Sequence, residues 1–421
     1  MRSAMGEQRS CRLCHGHDLS EALLLDRMPL SHHLRCHASE PDPRFSLRFE
    51  ICKGCGLFQI VDPVPAALIY GEADTYTTGF QKPRHLDDLI TTALACADPG
   101  RALDVGCNDG ALMEALKRHG YGFVAGVEPN AAAAALAVKA GHMVYRDFLS
   151  PALAERIVAE HGVFDALYLR HVAEHIGELA SFFAALRRLL GEGGLLVIEL
   201  PEVEAGFARG NPAILWEEHV SYFTEPLAAY LLALYGFRIL ERRRYAFGGG
   251  SIAFVARKEA LADTPPPPPR PAAAIRLARR FVTGVGRYRR ALRTTLKAAR
   301  AAGYKVAIYG AAPRSAAVVG ACKIGTALDL VIDDRSDIQG RLLPGTERPI
   351  RSLAEAATEV GGPLLCLLGV GAENEFKVRA RMAAHLQAPP LCISLFPPRD
   401  TLASVAAATA VIAGGVGTRG G

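Results

Sequence analysis

A chain of 421 residues, 50% hydrophobic and 22% charged, has material for two or three domains with ample cores, which excludes a disordered or fibrous class. A formal charge of +5 is modest for this length, so nucleic acid is not an expected partner on charge alone. Residues 1–10 lack the apolar stretch of a secretory signal, and no run reaches the ~18 apolar residues of a membrane span. Ten cysteines in such a chain point to thiols or metal ligands in a reducing, cytoplasmic setting.

Two cysteine pairs open the chain, Cys11-Arg12-Leu13-Cys14 and Cys52-Lys53-Gly54-Cys55-Gly56. Each has the knuckle spacing that lets two thiolates meet one tetrahedral metal, and the glycines permit the tight turn. The expectation is a four-cysteine structural zinc site, Cys11, Cys14, Cys52 and Cys55, within a small domain over 1–70. Such a site is closed and does no chemistry. His32, His33, Cys36 and His37 lie between the pairs as competing ligands or, more simply, as a surface loop. Residues 62–84 are irregular. Tyr76, in Thr75-Tyr76-Thr77-Thr78-Gly79, reads either as packing or as a lid residue. An amphipathic helix is expected over 85–98.

Residues 71–262 alternate strand and helix patterns: strands over 101–105, 123–127, 143–145, 164–169 and 194–200, helices over 111–119, 131–140, 151–161 and 179–190. That is a parallel sheet with right-handed crossovers. The first strand runs into Asp104-Val105-Gly106-Cys107-Asn108-Asp109-Gly110, a strand–glycine turn–helix unit of the kind that forms the ligand crevice in such sheets. It is not the phosphate loop of nicotinamide enzymes, because Gly-x-Gly-x-x-Gly is missing and an acid, Asp104, precedes the first glycine. That order suits a ligand with a cationic amino acid end and no phosphate, such as S-adenosylmethionine (SAM). Glu128, at the end of the next strand, is placed to accept from the ribose hydroxyls, and Asp147 to edge the adenine. The competing reading is a Rossmann-like domain with another nucleotide or none.

Beyond the fourth strand, His171 and His175 stand four apart, a spacing that puts both on one helical face; one catalytic or substrate-binding imidazole is expected there. Trp216-Glu217-Glu218-His219 sets acids beside an imidazole, the arrangement that raises histidine basicity and fixes its tautomer. A helix start with a solvated acidic edge is the alternative. A helix over 227–235 and two antiparallel edge strands, 238–245 and 251–256, complete this domain. A proline-rich linker follows at 263–272. Next comes a basic helix over 272–302, expected to be solvated or to face small anionic phosphates. A second α/β unit over 273–400 repeats the strand–small turn–helix pattern at Gly310-Ala311-Ala312-Pro313-Arg314-Ser315, where a helix N-terminus can receive a phosphate. Residues 401–421 form an apolar tail, read as a fraying helix or a disordered end.

With these residues together, the chain resembles the SAM-dependent sugar C-methyltransferases that act on nucleotide-linked keto-deoxysugars. The most specific parts are the paired Cys-x-x-Cys, the 105–110 turn, Glu218-His219, and Asp333-Asp334 with Gln339-Gly340-Arg341 and Pro344-Gly345-Thr346. The resemblance implies an α/β architecture: a class I SAM methyltransferase (Rossmann-like) domain flanked by a small N-terminal zinc-binding domain and a C-terminal Rossmann-like α/β domain. It implies SAM bound by Asp104, Gly106, Asn108, Asp109, Gly110, Glu128 and Asp147, and active-site roles for Tyr76, His175, Glu218 and His219. The chain departs from the family where Trp216-Glu217-Glu218-His219 replaces Tyr-His-Glu-His and where Arg170-His171-Val172-Ala173-Glu174-His175 replaces Asn-Asn-Val-Leu-Ala-His. On this reading His219 is the base, Glu218 orients it, and His175 and Tyr76 donate to an enolate oxygen. O- or N-methylation of a small-molecule or sugar acceptor is the second reading. A zinc-containing module that binds nucleic acid or protein is the third.

Overall fold

The computed structural model describes residues 9–70, 83–396 and 400–417. In chain order the N-terminal part supplies β1 (Leu19–Pro29), β2 (Arg44–Cys52), β3 (Phe58–Ile60), α1 (Ala66–Tyr70) and α2 (Leu86–Leu94). Next come β4 (Arg101–Val105), α3 (Ala111–Arg118), β5 (Phe123–Val127), α4 (Ala131–Lys139), β6 (Met143–Tyr145), α5 (Pro151–His161), β7 (Phe164–Arg170), α6 (Leu179–Leu189) and β8 (Leu190–Pro201). After them are α7 (Val203–Arg209), β9 (Ser221–Tyr222), α8 (Glu225–Leu234), β10 (Phe237–Tyr245) and β11 (Ser251–Lys258). The C-terminal part holds α9 (Ala272–Ala301), β12 (Lys305–Tyr309), α10 (Pro313–Cys322), β13 (Leu330–Ile332), β14 (Ile350–Arg351), α11 (Leu353–Glu359), β15 (Leu364–Leu368), α12 (Ala372–His385), β16 (Leu391–Ser394) and α13 (Thr401–Gly417).

These elements divide into two compact units. The first comprises the described residues within Met1–Ala22, Phe49–Val203 and Glu218–Arg276; the second, those within Leu23–Arg48, Glu204–Glu217 and Leu277–Gly421. A seven-stranded sheet in the order β10-β11-β8-β7-β4-β5-β6 forms the frame of the first unit. Its strands β4 to β8 are parallel. The chain steps outward from β4 to β6, then returns to β7 on the other side of β4, so the strand order reverses at β4 and β7. Ligand crevices open at such switch points, at the C-terminal ends of the strands.

The pleat sends alternate residues to opposite faces. Leu103, Val105, Val127 and Leu169 join one core with Ile157, Phe183 and Leu186 of α5 and α6 and Leu231 of α8. Ala102, Val124 and Tyr168 join the other with Ile90, Met113 and Leu116 of α2 and α3. Helix starts are encoded locally: the Asn130 side chain accepts from the Ala133 N–H, and the Ser150 side chain from the Leu153 N–H just before Pro151. The two antiparallel strands differ from expectation in one respect. Only β10, with Arg242, Arg243 and Arg244, is an edge; β11 lies between β10 and β8, and every residue from Ser251 to Ala256 is buried. An all-apolar strand needs cover on both sides, whereas an arginine-bearing one tolerates water.

In the second unit five parallel strands run in the order β14-β13-β12-β15-β16. Helix α9 is more than a solvated basic helix. Phe281, Val285, Tyr288, Leu292, Leu296 and Ala299 recur every three or four residues and are buried, the last four of them in the core of the second unit, which leaves the arginines on the opposite face. Of the two readings of the tail, a helix is the one that forms. Residues 401–417 form α13, and Val405, Ala408 and Ile412 are buried in that same core. No helix among the described residues is long and apolar enough to cross a membrane.

Candidate active site and zinc centre

The turn after β4 is held to the neighbouring strand. The N–H groups of Gly106 and Cys107 both donate to the Val127 carbonyl, at 2.8 and 3.1 Å. Gly106 has φ 79°, and a Cβ there would lie 2.5 Å from Val172 Cγ2. Glycine is therefore required both by conformation and by space. Asn108 donates its N–H to Glu128 Oε2 (2.9 Å), and Asn130 donates its own to Oε1 (2.8 Å). Each Glu128 oxygen keeps a lone pair for a further donor. The Asp109 carboxylate accepts from the Ala111 N–H (3.3 Å), and Gly110, φ 84°, caps α3. Asp104 is buried. Burial pushes its carboxyl up to about 7, the Glu128 and Asp109 charges add to the shift, and only Arg170 opposes it. A cationic amino group placed there would answer the carboxylate, and a ribose diol would find two acceptors at Glu128, so the donor set fits SAM. Asp104, Gly106, Asn108, Asp109, Gly110 and Glu128 are thus brought together. Asp147 follows β6, and its Oδ1 accepts from the Phe148 N–H (2.8 Å).

Beside this turn, β7 ends at Arg170, and His171 takes a left-handed φ of 52°, unfavourable for a residue with a Cβ. The next turn, Ala173–His175, is a short 3₁₀ helix, so His171 and His175 do not share a helical face as their spacing suggested. They diverge. His171 lies 3.6 Å from Glu199 Oε1 and 3.5 Å from Glu174 Oε1. Burial pushes its imidazole down, but these two carboxylates outweigh burial and raise it to about 9. Glu199, fully buried in β8, also accepts from His85 Nε2 (2.9 Å) and Arg170 Nε (2.6 Å). Despite its burial, the hydrogen bonds from His171 and His85 and the charges of His171 and Arg170 hold it far below the carboxylate range.

His175 faces the other way. Its Nδ1 is 2.6 Å from the Tyr70 hydroxyl and 3.6 Å from Glu218 Oε2, and its ring centroid is 5.0 Å from that of His219. Tyr70 joins this cluster to the crevice: its carbonyl accepts from Asn130 Nδ2 (3.3 Å), and its ring meets Phe148 at 6.2 Å. The adjacent acids separate. Glu217 accepts from the N–H and hydroxyl of Ser31, at 2.5 and 2.9 Å, whereas Glu218 turns to His175. Tyr76 lies outside the described residues. Sequence reasoning missed Tyr70, His85, Arg170, Glu174 and Glu199. Glu199 left a trace, an acid inside the apolar run Leu195–Leu200; Tyr70 left none.

The knuckles meet in the first unit. Cys11 Sγ is 3.6 Å from Cys55 Sγ, and Cys14 Sγ is 3.5 Å from Cys52 Sγ. Tetrahedral zinc with Zn–S near 2.3 Å would place sulfurs about 3.8 Å apart, so the four thiolates fit one ion closely. Among the described residues His32, His33 and His37 do not join this cluster. In the second unit, within the turn that leads into α10, the Ala311 N–H is taken by Asp333 Oδ2 at 2.7 Å.

Three family models match this chain. "Methyltransferase domain" covers residues 80–242, "C-methyltransferase C-terminal domain" covers 272–368, and "Putative zinc binding domain" covers 11–70. The chain is a SAM-dependent methyltransferase. The methyltransferase is 26% identical over 370 residues to C-methyltransferase NovU of Streptomyces niveus, spanning 83% of this chain and 87% of that one. A 103-residue stretch is 36% identical to the ubiquinone biosynthesis O-methyltransferase of Caulobacter sp. (strain K31), 23% of this chain and 39% of that one. The solved structure of N-methyltransferase NodS from Bradyrhizobium japonicum covers 45% of the methyltransferase with 95% of its own chain, at 15% identity and a TM-score of 0.35. The class I fold and the four-cysteine zinc centre agree with the expectations drawn from the residues.

Proposed function

We infer that this methyltransferase transfers a methyl group to a carbon beside the ketone of a nucleotide-linked keto-deoxysugar, through an enolate. Similarity to a C-methyltransferase over most of the chain, and the C-methyltransferase C-terminal domain, support carbon as the acceptor. The observation that carries the chemistry is the imidazole pair. His175 and His219 lie 5.0 Å apart beside a turn whose Val172 packs on Gly106, with Tyr70 reaching from His175 to the crevice.

A carbon acid next to a ketone needs a base and a donor for the oxygen on which charge develops. His219 takes the proton. His175, fixed by the Tyr70 hydroxyl and by Glu218, donates to the oxygen, and Tyr76 shares that task. Asp104 and Glu128 hold the amino acid and ribose ends of SAM. When bound, SAM supplies an electrophilic methyl group in line with the enolate carbon, so positioning provides much of the rate.

The His219→Ala variant should bind SAM as the wild type does and lose turnover by about 10²–10⁴-fold. Near-normal turnover would remove His219 from the role. The ubiquinone O-methyltransferase similarity keeps a heteroatom acceptor as the second reading. Deuterium exchange at the substrate carbon without methyl transfer separates the two, because only an enzyme that forms the enolate gives washout.

A further inference from the structure

Glu174 has no part in the chemistry above. It is 2% exposed, and neither carboxylate oxygen has a hydrogen-bond partner among the described residues. A buried carboxylate is stable only when a cation or several donors answer it. What surrounds it is imidazole. Oε1 is 3.5 Å from His171 Nδ1 and 3.8 Å from His175 Nε2. One ligand atom each from Glu174, His175 and His219 lies within 4.8 Å of the others. The other nitrogen of His175, Nδ1, is 2.6 Å from the Tyr70 hydroxyl. With Nδ1–H donated to that oxygen, Nε2 carries its lone pair on the Glu174 side. This is the outer-shell arrangement that orients a metal-binding histidine.

We propose that Glu174, His175 and His219 form a second metal site, separate from the cysteine-bound zinc, for an exchangeable divalent ion of the Zn²⁺, Co²⁺ or Ni²⁺ class. Two imidazoles and one carboxylate suit these borderline ions, whereas Mg²⁺ and Ca²⁺ require more oxygen ligands. His171, on the same carboxylate, competes with the ion and keeps it more weakly held than zinc among four thiolates. A bound ion takes the lone pairs of His175 Nε2 and His219, so metal binding and proton transfer by this imidazole pair exclude one another at any one moment; the site stands even if His219 is not the base of methyl transfer.

The test uses the full chain with its cysteine zinc in place, cleared with a mild chelator and titrated with Co²⁺. One equivalent should bind with weak ligand-field bands and no thiolate charge-transfer band, and Mg²⁺ should not displace it. Glu174→Gln, which keeps the side-chain shape, should weaken this equivalent at least tenfold. One zinc per chain should remain, with SAM binding retained as the check on folding. His219→Asn should give the same result by an independent route if Glu174→Gln does not fold. The proposal fails if wild type takes no second equivalent, if Co²⁺ enters only with a charge-transfer band, or if a folded variant binds Co²⁺ as tightly as wild type.

Discussion

Asp104 sits in the crevice with its carboxyl pushed up to about 7 by burial, with Glu128 and Asp109 adding to the shift. If it meets the amino group of SAM, binding must lower that pKa. Below neutrality the free protein holds a proton that the complex does not. SAM affinity should therefore rise with pH up to about 7 and level off above it. It should be about tenfold weaker at pH 6 than at pH 8, with close to one proton released per SAM at the lower pH. Calorimetry in buffers of different ionisation heat measures both, and Asp104→Asn should abolish the proton release. Residues of this kind were legible because chemistry and turn adjoin in the sequence: Asp104 precedes Gly106, and Glu128 ends the next strand. The partners that complete the site were not. Tyr70 reaches His175 across 105 positions and His85 reaches Glu199 across 114, so no local pattern joins them.

At the scale of elements, the turn between β4 and α3 is set by two demands on Gly106, a φ of 79° and a neighbour, Val172, already in contact range of any added Cβ. Gly106→Ala should cost about 1–2 kcal/mol from the left-handed backbone alone. The clash must in addition displace Val172, and with it the segment carrying Glu174 and His175. SAM affinity should fall at least tenfold, and the melting temperature should drop. Adding Val172→Ala should restore part of the loss and leave the backbone cost, as titration and thermal unfolding would show. Strands and helices were readable because period two and period 3.6 differ plainly in this chain, and because Asn130 and Ser150 mark helix starts. Misreadings came where periodicity yields to context. Helix α9 reads as basic because its arginines outnumber the apolar stripe that anchors it. In α13, alanines and glycines hide the spacing of Val405, Ala408 and Ile412, which is why the sequence left a helix and a disordered end both open. At 171–175 an i, i+4 pair looked helical, but His171 is itself left-handed and the turn after it is a short 3₁₀ helix.

For the whole molecule, the zinc centre is continuous with the main hydrophobic core of the first unit. Cys11, Leu13, Cys52, Cys55 and Leu57 share that core with Phe223, Leu227 and Tyr230. Removing the ion leaves four crowded thiols in place of a cross-link between segments about forty residues apart in sequence, so chelation should act beyond the knuckle. A strong chelator, or Cys52→Ser, should release zinc stoichiometrically, lower the melting temperature and weaken SAM binding, followed together by metal analysis and calorimetry. Retained SAM affinity at full zinc loss would make the knuckle an independent appendage. The two sheets were legible as units; the return of Leu23–Arg48 to the second one was not, since nothing in that stretch marks where it packs.

That return bears on how the protein is made. The buried Arg35 guanidinium donates to the Thr346 carbonyl at 3.0 Å, across 311 positions. At roughly 5–20 residues per second, the ribosome needs about 15–60 s after releasing Arg35 before its acceptor exists. For that interval the segment must wait, unfinished, for the rest of its own unit to be made.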